Sequence, residues 1–106
     1  YPFIVEVSGK LAGFVLVRAI EEDSHSIAEF FIMREYRHHR VGQSVAYRIF
    51  DMFPGKWRVA QEAGNVPAQV FWRKVISDYT DGDYMEVQED NWLGYIQEFS
   101  NHNIQR

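Results

Sequence analysis

The 106-residue chain contains no cysteine, which excludes disulfide bonds and metal sites built on thiolates. No apolar run approaches the about 18 residues that a membrane-spanning helix needs, so we expect no membrane partner. Positive charge is also scarce, because eleven Lys and Arg face fifteen Asp and Glu, for a formal net charge of -4. This balance argues against a general binder of nucleic acid or anionic lipid. We therefore expect a soluble, cytoplasmic protein that holds no metal.

Apolar residues, in contrast, are plentiful: they make up 46% of the chain, and aromatic residues make up 16%. A chain of this length and composition suits one compact domain with its own core and leaves no room for a second. We expect residues 1–106 to form that single domain.

Several segments have the composition of β-strands. FIVEV and LAGFVLV flank Ser8-Gly9, a pair typical of a tight hairpin turn. After the polar stretch EEDSHS, the segment IAEFFIM has Glu29 as its single charge, which predicts a third strand buried on both faces. KWRVAQ is a candidate fourth strand, and DGDYMEVQEDNWLGYIQEF predicts a last hairpin that turns at residues 89–91.

Two segments have the apolar spacing of amphipathic helices. In residues 44–53, Gly42 precedes the spacing and Pro54-Gly55 ends it, which predicts a helix entered through a glycine turn. The second begins at Asn65 and has Pro67 in its first turn. Its predicted apolar face consists of Ala68, Phe71, Trp72, Val75 and Ile76. The predicted element order is β-β-β-α-β-α-β-β.

Three of the eleven Lys and Arg residues, together with two histidines, cluster in REYRHHRVGQ, between the third strand and the first helix. A basic loop that leads into a helix can bind phosphate, because free backbone N–H groups and the positive end of the helix dipole face the ligand. The alternative is a solvated loop without a ligand. A metal site on His38 and His39 is disfavoured, because adjacent residues rarely converge on one ion without carboxylate or thiolate help.

The loop resembles motif A of the GNAT N-acetyltransferase superfamily, which reads Arg or Gln, two residues, Gly, any residue, then Gly or Ala. Residues 37–42 follow this pattern with one exception at Arg40. The later segment resembles motif B, N-x-x-A-x-x-aromatic-aromatic, through Asn65, Ala68, Phe71 and Trp72. The resemblance runs from the first hairpin to the last. It implies an α/β (α+β) fold with a central mixed, mostly antiparallel sheet and flanking helices.

The resemblance also implies an acetyl-CoA-dependent N-acetyltransferase, in which an amine attacks the thioester directly and no metal takes part. Two backbone positions at the end of the third strand would meet the pantetheine arm, the loop would wrap the pyrophosphate, and a residue at the second helix would touch the carrier. The implied cofactor-binding residues are Ile32, Met33, Arg37, His38, His39, Arg40, Val41, Gly42, Gln43, Ser44 and Asn65. Capping of the second helix is the alternative role for Asn65.

Two residues depart from the family pattern. Arg40 stands where the loop usually has its first Gly, so its side chain either obstructs the phosphate or attracts it. Trp72 stands where many members carry a Tyr that protonates the leaving thiolate. An indole cannot do so, which leaves water, Tyr79 or no residue as the acid.

Two acidic residues are candidates for the general base. Glu29 is the sole acid of residues 27–33, so we expect its carboxylate to be partly desolvated, as suits a base that works near neutral pH. Structural hydrogen bonding is its alternative role. Glu62, just past the fourth strand, is the second candidate.

The acceptor implied by the resemblance is a small-molecule amine, or a protein N-terminus or lysine, and a homodimer is compatible with it. Members of the family normally begin with a further strand and one or two helices, which this sequence starts too late to include. We therefore expect a shortened member or a fragment, or a sheet covered by another chain. The alternative function is a non-catalytic GNAT-like module that binds acyl-CoA or a protein partner.

Overall fold

The computed structural model describes residues 1–37 and 40–102, and its elements follow the predicted order. The strands are β1 (Pro2–Val7), β2 (Lys10–Glu21), β3 (Ser24–Ile32), β4 (Lys56–Glu62), β5 (Met85–Glu89) and β6 (Trp92–Ser100). The helices are α1 (Val41–Met52) and α2 (Val66–Thr80), and a short 3-10 turn covers Arg34–Tyr36. Within these described ranges, neither helix is long and apolar enough to cross a bilayer.

The six strands form one sheet in the order β1-β2-β3-β4-β6-β5. Neighbouring strands are antiparallel, except that β3 and β4 run parallel. The sheet is therefore mixed and mostly antiparallel, which confirms the predicted fold class.

The first hairpin turns where the sequence predicts it. Ser8 and Gly9 both have positive φ, at 51° and 78°, and Val7 pairs with Lys10 across the turn. Two successive left-handed residues match the right-handed twist of the flanking strands, which explains the short polar pair at this position. The last hairpin is also confirmed, with β5 ending at Glu89 and β6 starting at Trp92.

Strand β3 begins inside the polar stretch EEDSHS, three residues earlier than predicted. The last three residues of this stretch begin the strand, and Ser24 pairs with Glu21 of β2 across a two-residue turn. His25 is buried among the rings of Tyr1, Phe53 and Trp57. Packing against aromatic rings offsets the polar composition, so the second hairpin extends further than the sequence pattern predicts.

Helix α1 begins three residues earlier than predicted. Gly42 lies inside its first turn rather than ahead of it, and the residue in the left-handed conformation is Arg40. The prediction of a glycine turn was wrong, because Gly42 is selected by packing: an added Cβ would lie 3.0 Å from the Phe71 ring of α2. Helix α2 begins after Asn65, as predicted, and extends to Thr80.

Both helices pack on the same face of the sheet, which we call the helix face. Phe50 of α1 lies at the centre of the core, with its ring 5.0 Å from those of Trp57 and Phe99 and 5.1 Å from that of Tyr79, measured between centroids. Trp72 of α2 completes this aromatic cluster. The opposite side of the sheet carries no helix of the described chain, and we call it the open face.

Strand β3 is buried on one face only, contrary to the prediction. Ile32 is buried on the helix face, while Glu29 and Phe31 are exposed on the open face. Because α1 and α2 both lie on the other side, the apolar side chains of the open face remain in contact with solvent. They include a stacked pair, Phe14 and Phe31, with centroids 5.7 Å apart.

The parallel pair β3 and β4 is joined over only three residues. Ser24, His25 and Ser26 of β3 pair with residues 56–58 of β4. In the same region Ala28 has no partner on β2, because Leu16 pairs with Glu29 and Val17 with Ile27, so Ala28 forms a bulge. We call the unpaired gap between residues 27–32 of β3 and 59–62 of β4 the strand opening. It lies next to the start of both helices.

Candidate functional site

The N-terminus of α1 lies just beyond the end of β3. The first backbone bond of the helix runs from the Ser44 N–H to the Arg40 carbonyl, at 3.0 Å. The N–H groups of Val41, Gly42 and Gln43 belong to the first turn, where helix geometry leaves N–H groups without intrahelical partners. The Arg40 side chain does not cap them, and the first turn contains no acidic residue. Among the residues that the structure describes, nothing caps this end of the helix, which can therefore attract an anion.

Arg40 takes the backbone geometry that glycine normally supplies. Its φ and ψ are 56° and 20°, in the left-handed region, and its side chain is exposed. For a residue with a Cβ, this conformation costs roughly 1–2 kcal/mol. Arg40 thus has a left-handed backbone although it is not Gly, and the consequence of the missing Gly at this position is backbone strain.

Arg37 fastens the loop to the end of β3. Its Nε donates to the Ile32 carbonyl at 2.7 Å, and its guanidinium carbon lies 5.6 Å from the centroid of the Phe31 ring. Both backbone groups of Met33 are hydrogen-bonded in the same region. Its N–H donates to the Ala12 carbonyl at 2.7 Å, and its carbonyl accepts from the Tyr36 N–H at 2.9 Å. The Met33 N–H is therefore already used inside the chain.

Asn65 caps α2, which was one of its two predicted roles. Its side-chain oxygen accepts from the Ala68 N–H at 3.3 Å, and its carbonyl accepts from the Gln69 N–H. Gln69, which is buried, donates to the carbonyls of Glu62 and Ala63 at 2.9 and 3.0 Å. These bonds fix the start of α2 against the end of β4, on the far side of the strand opening from α1.

A cavity of about 570 Å³ opens between β3 and the first turns of both helices. We call it the helix-face cavity. It brings together Ile32, Arg37, Arg40, Gly42, Gln43 and Asn65 of the predicted set. Val41 and Ser44 instead line a separate groove of about 460 Å³ beside β1. At the helix end Val41 offers only its backbone N–H, and the Ser44 N–H already donates to the Arg40 carbonyl. Met33 lines neither depression.

The predictions for His38 and His39 lie outside the described residues. Within residues 1–37 and 40–102, no three His, Asp or Glu side chains come close enough to hold a metal ion together.

Sequence reasoning missed several residues of the helix-face cavity. Phe30 lines its β3 side, and Val70 and Lys74 line its α2 side one helical turn apart. Val70 was detectable in principle, because it is an apolar residue that lies off the predicted core face of α2 and is exposed. Phe30 shares the strand face of Ile32 by alternation, which also marks it as a neighbour of the helices.

A sequence profile described as the Acetyltransferase (GNAT) family matches residues 1–77, from the start of the chain into α2. The chain belongs to the GNAT acetyltransferase family. No curated protein matches the sequence significantly. The family match spans the loop, the first turn of α1 and Asn65, and therefore all residues that line the helix-face cavity.

Solved structures share the GNAT fold at low sequence identity. The ribosomal-protein-S18-alanine N-acetyltransferase from Escherichia coli superposes with a TM-score of 0.69 at 12% identity, over 100% of this chain and 74% of that one. Ard1 from Thermoplasma volcanium gives 0.70 at 15% identity, over 92% and 68%. An acetyltransferase from Thermus thermophilus gives 0.73 at 10%, over 93% and 62%. This chain thus spans between 62% and 74% of the length of these three proteins.

The residue at the GNAT tyrosine position, Trp72, lies in the core. It is 6% exposed, and its ring meets Phe30 edge-on with centroids 4.8 Å apart. Tyr79, the alternative acid, lies seven residues further along α2, or about 10 Å at the helical rise. Its hydroxyl donates to Asp51 at 2.6 Å. The structure therefore does not bring Tyr79 to the helix-face cavity.

Glu29 and Glu62, the two candidate GNAT bases, lie on opposite sides of the strand opening and on the same face. Glu29 pairs with Leu16 on the open face, and Glu62 alternates with the buried Gln61. Both are exposed. The expected desolvation of Glu29 was wrong, because no helix of the described chain covers that face.

Proposed function

We propose that this chain binds acetyl-CoA in the helix-face cavity and transfers the acetyl group to an amine. The observation that supports this proposal is the free N-terminus of α1, which opens with a left-handed residue onto an apolar cavity beside the strand opening. The pyrophosphate would accept from the N–H groups of Val41, Gly42 and Gln43, because these groups lack helical partners.

Arg37 has a positioning role in this proposal. Its Nε donates to the Ile32 carbonyl, while its terminal nitrogens have no hydrogen-bond partner within residues 1–37 and 40–102 and could donate to a phosphate. The residue thus holds the loop at a fixed distance from the end of β3. The pantetheine arm would then run along β3 toward the strand opening, past Phe30 and Ile32, which line the cavity.

The chemistry is direct acyl transfer. The amine nitrogen attacks the thioester carbonyl carbon, the carbon–sulfur bond breaks, the amine proton passes to a base, and the thiolate is protonated to give free CoA. No covalent intermediate with the protein forms. Water is the proton donor in this proposal, because Trp72 is an indole and Tyr79 lies away from the cavity.

The acceptor would approach from the open face. The carrier occupies the helix face, and the strand opening connects the two sides where β3 and β4 are unpaired. Glu29 and Glu62 both stand on the acceptor side of this gap. Either carboxylate would accept the amine proton directly or through one water molecule, and we assign Glu29 as the first choice.

The test combines binding with turnover. Calorimetric titrations with acetyl-CoA and desulfo-CoA measure the carrier site, and a panel of small amines and peptide N-termini measures transfer as a function of pH. We expect Glu29→Gln to lower transfer by roughly 10²-fold or more with CoA affinity unchanged, which is the usual range for loss of a general base. The matched control is Glu22→Gln in the exposed turn between β2 and β3.

Equal rates for the natural protein and Glu29→Gln would remove Glu29 from the mechanism and make Glu62→Gln the next variant. A protein that binds acetyl-CoA yet transfers to no amine would support the second candidate function, a carrier-binding module. The buried indole at position 72 favours that candidate, since it supplies no acid. Failure to bind acetyl-CoA would overturn both.

A further inference from the structure

A second depression, of about 650 Å³, lies on the open face beside the strand opening. We call it the open-face pocket. Its floor is formed by Ser26, the bulged Ala28 and Ala60, and its far wall by the turn between β5 and β6. Trp92 anchors that wall, because its indole N–H donates to the Gln61 carbonyl at 3.1 Å. The pocket is thus built from secondary structure on both sides.

Four residues form one row across the sheet at this pocket, and three of them, Arg18, Ser26 and Arg58, line it. Arg18 of β2 pairs with Ser26 of β3, Ser26 pairs with Arg58 of β4, and Arg58 pairs with Glu98 of β6. Because paired residues on neighbouring strands point to the same face, all four side chains are on the open face.

The two arginines of this row differ in their partners. Arg58 has an Nη 2.7 Å from Glu89 and its Nε 2.8 Å from a Glu98 oxygen, so two carboxylates compensate its charge. Arg18 is exposed and has no ion-pair partner among residues 1–37 and 40–102. It is therefore the one uncompensated cation that faces the pocket in the described chain.

The remaining lining is mostly apolar. Ser26 and Asn91 add a hydroxyl and an amide beside Arg18. The apolar residues are Ala19, Ile20, Ile27, Ala28, Ala60, Trp92 and Ile96. Glu89 also lines the pocket, but its carboxylate is paired with Arg58, so the Arg18 guanidinium is the charge left for a ligand. A pocket with one unpaired guanidinium, small polar groups and apolar walls suits a ligand with an anionic group on an aliphatic body.

We propose that the open-face pocket selects acceptor amines that carry a carboxylate, and that Arg18 determines this specificity. The inference rests on the proposed transferase function and names its acceptor class. Glu29 lies three residues along β3 from Ser26, about 10 Å at the strand rise and less across the bulge. The carboxylate and the reacting amine are thus separated by several bonds, as in an ω-amino acid and unlike in an α-amino acid.

The test compares 6-aminohexanoate, hexylamine and 1,6-diaminohexane as acceptors. We expect at least about a tenfold higher kcat/KM for 6-aminohexanoate than for hexylamine, since a charge-assisted hydrogen bond contributes on this order. Arg18→Gln should abolish the preference by raising KM with kcat retained. Arg18→Glu should shift it toward 1,6-diaminohexane, and Arg18→Lys should keep part of it. Arg48→Gln, an exposed arginine of α1 beside β1, is the matched control.

Failure of this inference can be distinguished from failure of the transferase function. If no amine is acetylated, calorimetric titration of 6-aminohexanoate and hexylamine into the CoA-bound protein measures the affinity of the open-face pocket for each compound. Carboxylate-dependent binding that Arg18→Gln removes would support the pocket even then. An Arg18→Gln protein with the same carboxylate preference as the natural protein, or no preference in either measurement, would overturn the proposal.

Discussion

At the scale of single residues, Arg40 shows that a residue can depart from a sequence motif and still adopt a backbone conformation typical of glycine. The family pattern asks for Gly at this position because the loop needs a left-handed residue. In this chain the residue at that position is Arg40, and its φ of 56° is left-handed. The predictions for Arg40 concerned its side chain, which either obstructs or attracts the phosphate, and its left-handed backbone is seen only in the structure.

Replacement of Arg40 by Gly tests this departure from the motif. Removal of the strain gains roughly 1–2 kcal/mol, and the larger freedom of Gly in the unfolded chain costs about 0.5–1 kcal/mol. We expect a net stabilisation of about 1 kcal/mol or less by thermal unfolding. CoA affinity should stay equal or rise by at most about tenfold, or 1.4 kcal/mol, in a calorimetric titration.

The control for Arg40 is Arg40→Ala, which removes the charge and keeps the strained backbone. If both variants lost affinity strongly, the guanidinium itself would be a phosphate ligand, and the positioning argument for the backbone N–H groups would be wrong.

Asn65 shows the complementary case, in which one residue was given two roles and the structure displays one of them. The cap on α2 is present, with the side-chain oxygen on the Ala68 N–H, and the amide also lines the helix-face cavity. The motif predicted the helix start to the residue. Ligand contact by Asn65 stays a prediction.

At the scale of secondary structure elements, the contact between α1 and α2 sets the width of the helix-face cavity. Gly42 allows the first turn of α1 to approach Phe71, since an added Cβ would lie 3.0 and 3.1 Å from two ring atoms. These distances are too short for an unstrained contact, so a larger residue must move the ring or the helix.

Gly42→Ala is therefore expected to weaken carrier binding more than stability. The better helix propensity of Ala, about 1 kcal/mol, offsets much of the crowding against Phe71. We expect CoA affinity to fall about tenfold while the thermal midpoint barely changes, and Gly42→Val to lose binding in a protein that still folds.

A compensating pair makes this result specific. Gly42→Ala combined with Phe71→Leu should recover much of the affinity, because the shorter side chain frees the space that the new methyl group takes. Unaltered CoA affinity in a folded Gly42→Val protein would contradict the assignment of the site to this helix end.

The elements themselves were predictable where a local signal existed. The turn at Ser8-Gly9, the cap at Asn65 and the helical spacing of both helices each depend on neighbours a few residues apart. The start of α1 was misplaced because Gly42 was interpreted by backbone freedom when a distant ring, Phe71, selects it. The buried start of β3 was missed because His25 is covered by residues far away in sequence.

At the scale of the whole molecule, α2 is fastened to the sheet by a polar network. Arg73 of α2 donates to both oxygens of Glu86 on β5, at 2.8 and 2.9 Å, and Gln97 of β6 donates to the same carboxylate. Gln97 is fully buried and exchanges hydrogen bonds with Gln61 of β4. The hydrogen bonds from Arg73 hold the pKa of Glu86 below its usual value, and burial opposes them.

This depressed pKa gives the stability of the protein a defined pH dependence. The ionised carboxylate stabilises the fold above its unfolded pKa, about 4.3, and the stabilisation is lost as pH falls through the lower folded pKa. We expect Glu86→Gln to cost about 1 kcal/mol of unfolding free energy near pH 7, because the pair is partly exposed to solvent. The difference between the two proteins should shrink below about pH 4 in denaturant titrations.

Asp78→Asn is the control for Glu86. Asp78 pairs with Lys74 on the surface of α2, where the side chains are 46% and 72% exposed, so little change is expected at any pH. A cost for Glu86→Gln that did not vary with pH would show that the network acts through shape and hydrogen bonding rather than charge.

The arrangement of the elements could not be read from the chain alone. Nothing local indicates that β4 inserts between β3 and β6, or that both helices share one face, since these follow from packing between distant segments. For the same reason Glu29 was predicted to be desolvated: its neighbours in sequence are apolar, but the face it shares with Leu16 and Phe31 is open. The resemblance implied a mixed, mostly antiparallel sheet with flanking helices, whereas the strand order and the exposure of each face follow from the structure.

The three-residue junction of β3 and β4 divides the sheet into two halves. One is the meander of β1, β2 and β3, contiguous in sequence, and the other is the antiparallel set of β4, β6 and β5. Amide protons near the junction should exchange with solvent through local opening, well before the interior of either half is exposed. A ligand that contacts both sides of the strand opening would link the two halves, so its binding would slow amide hydrogen exchange in strands that it does not contact.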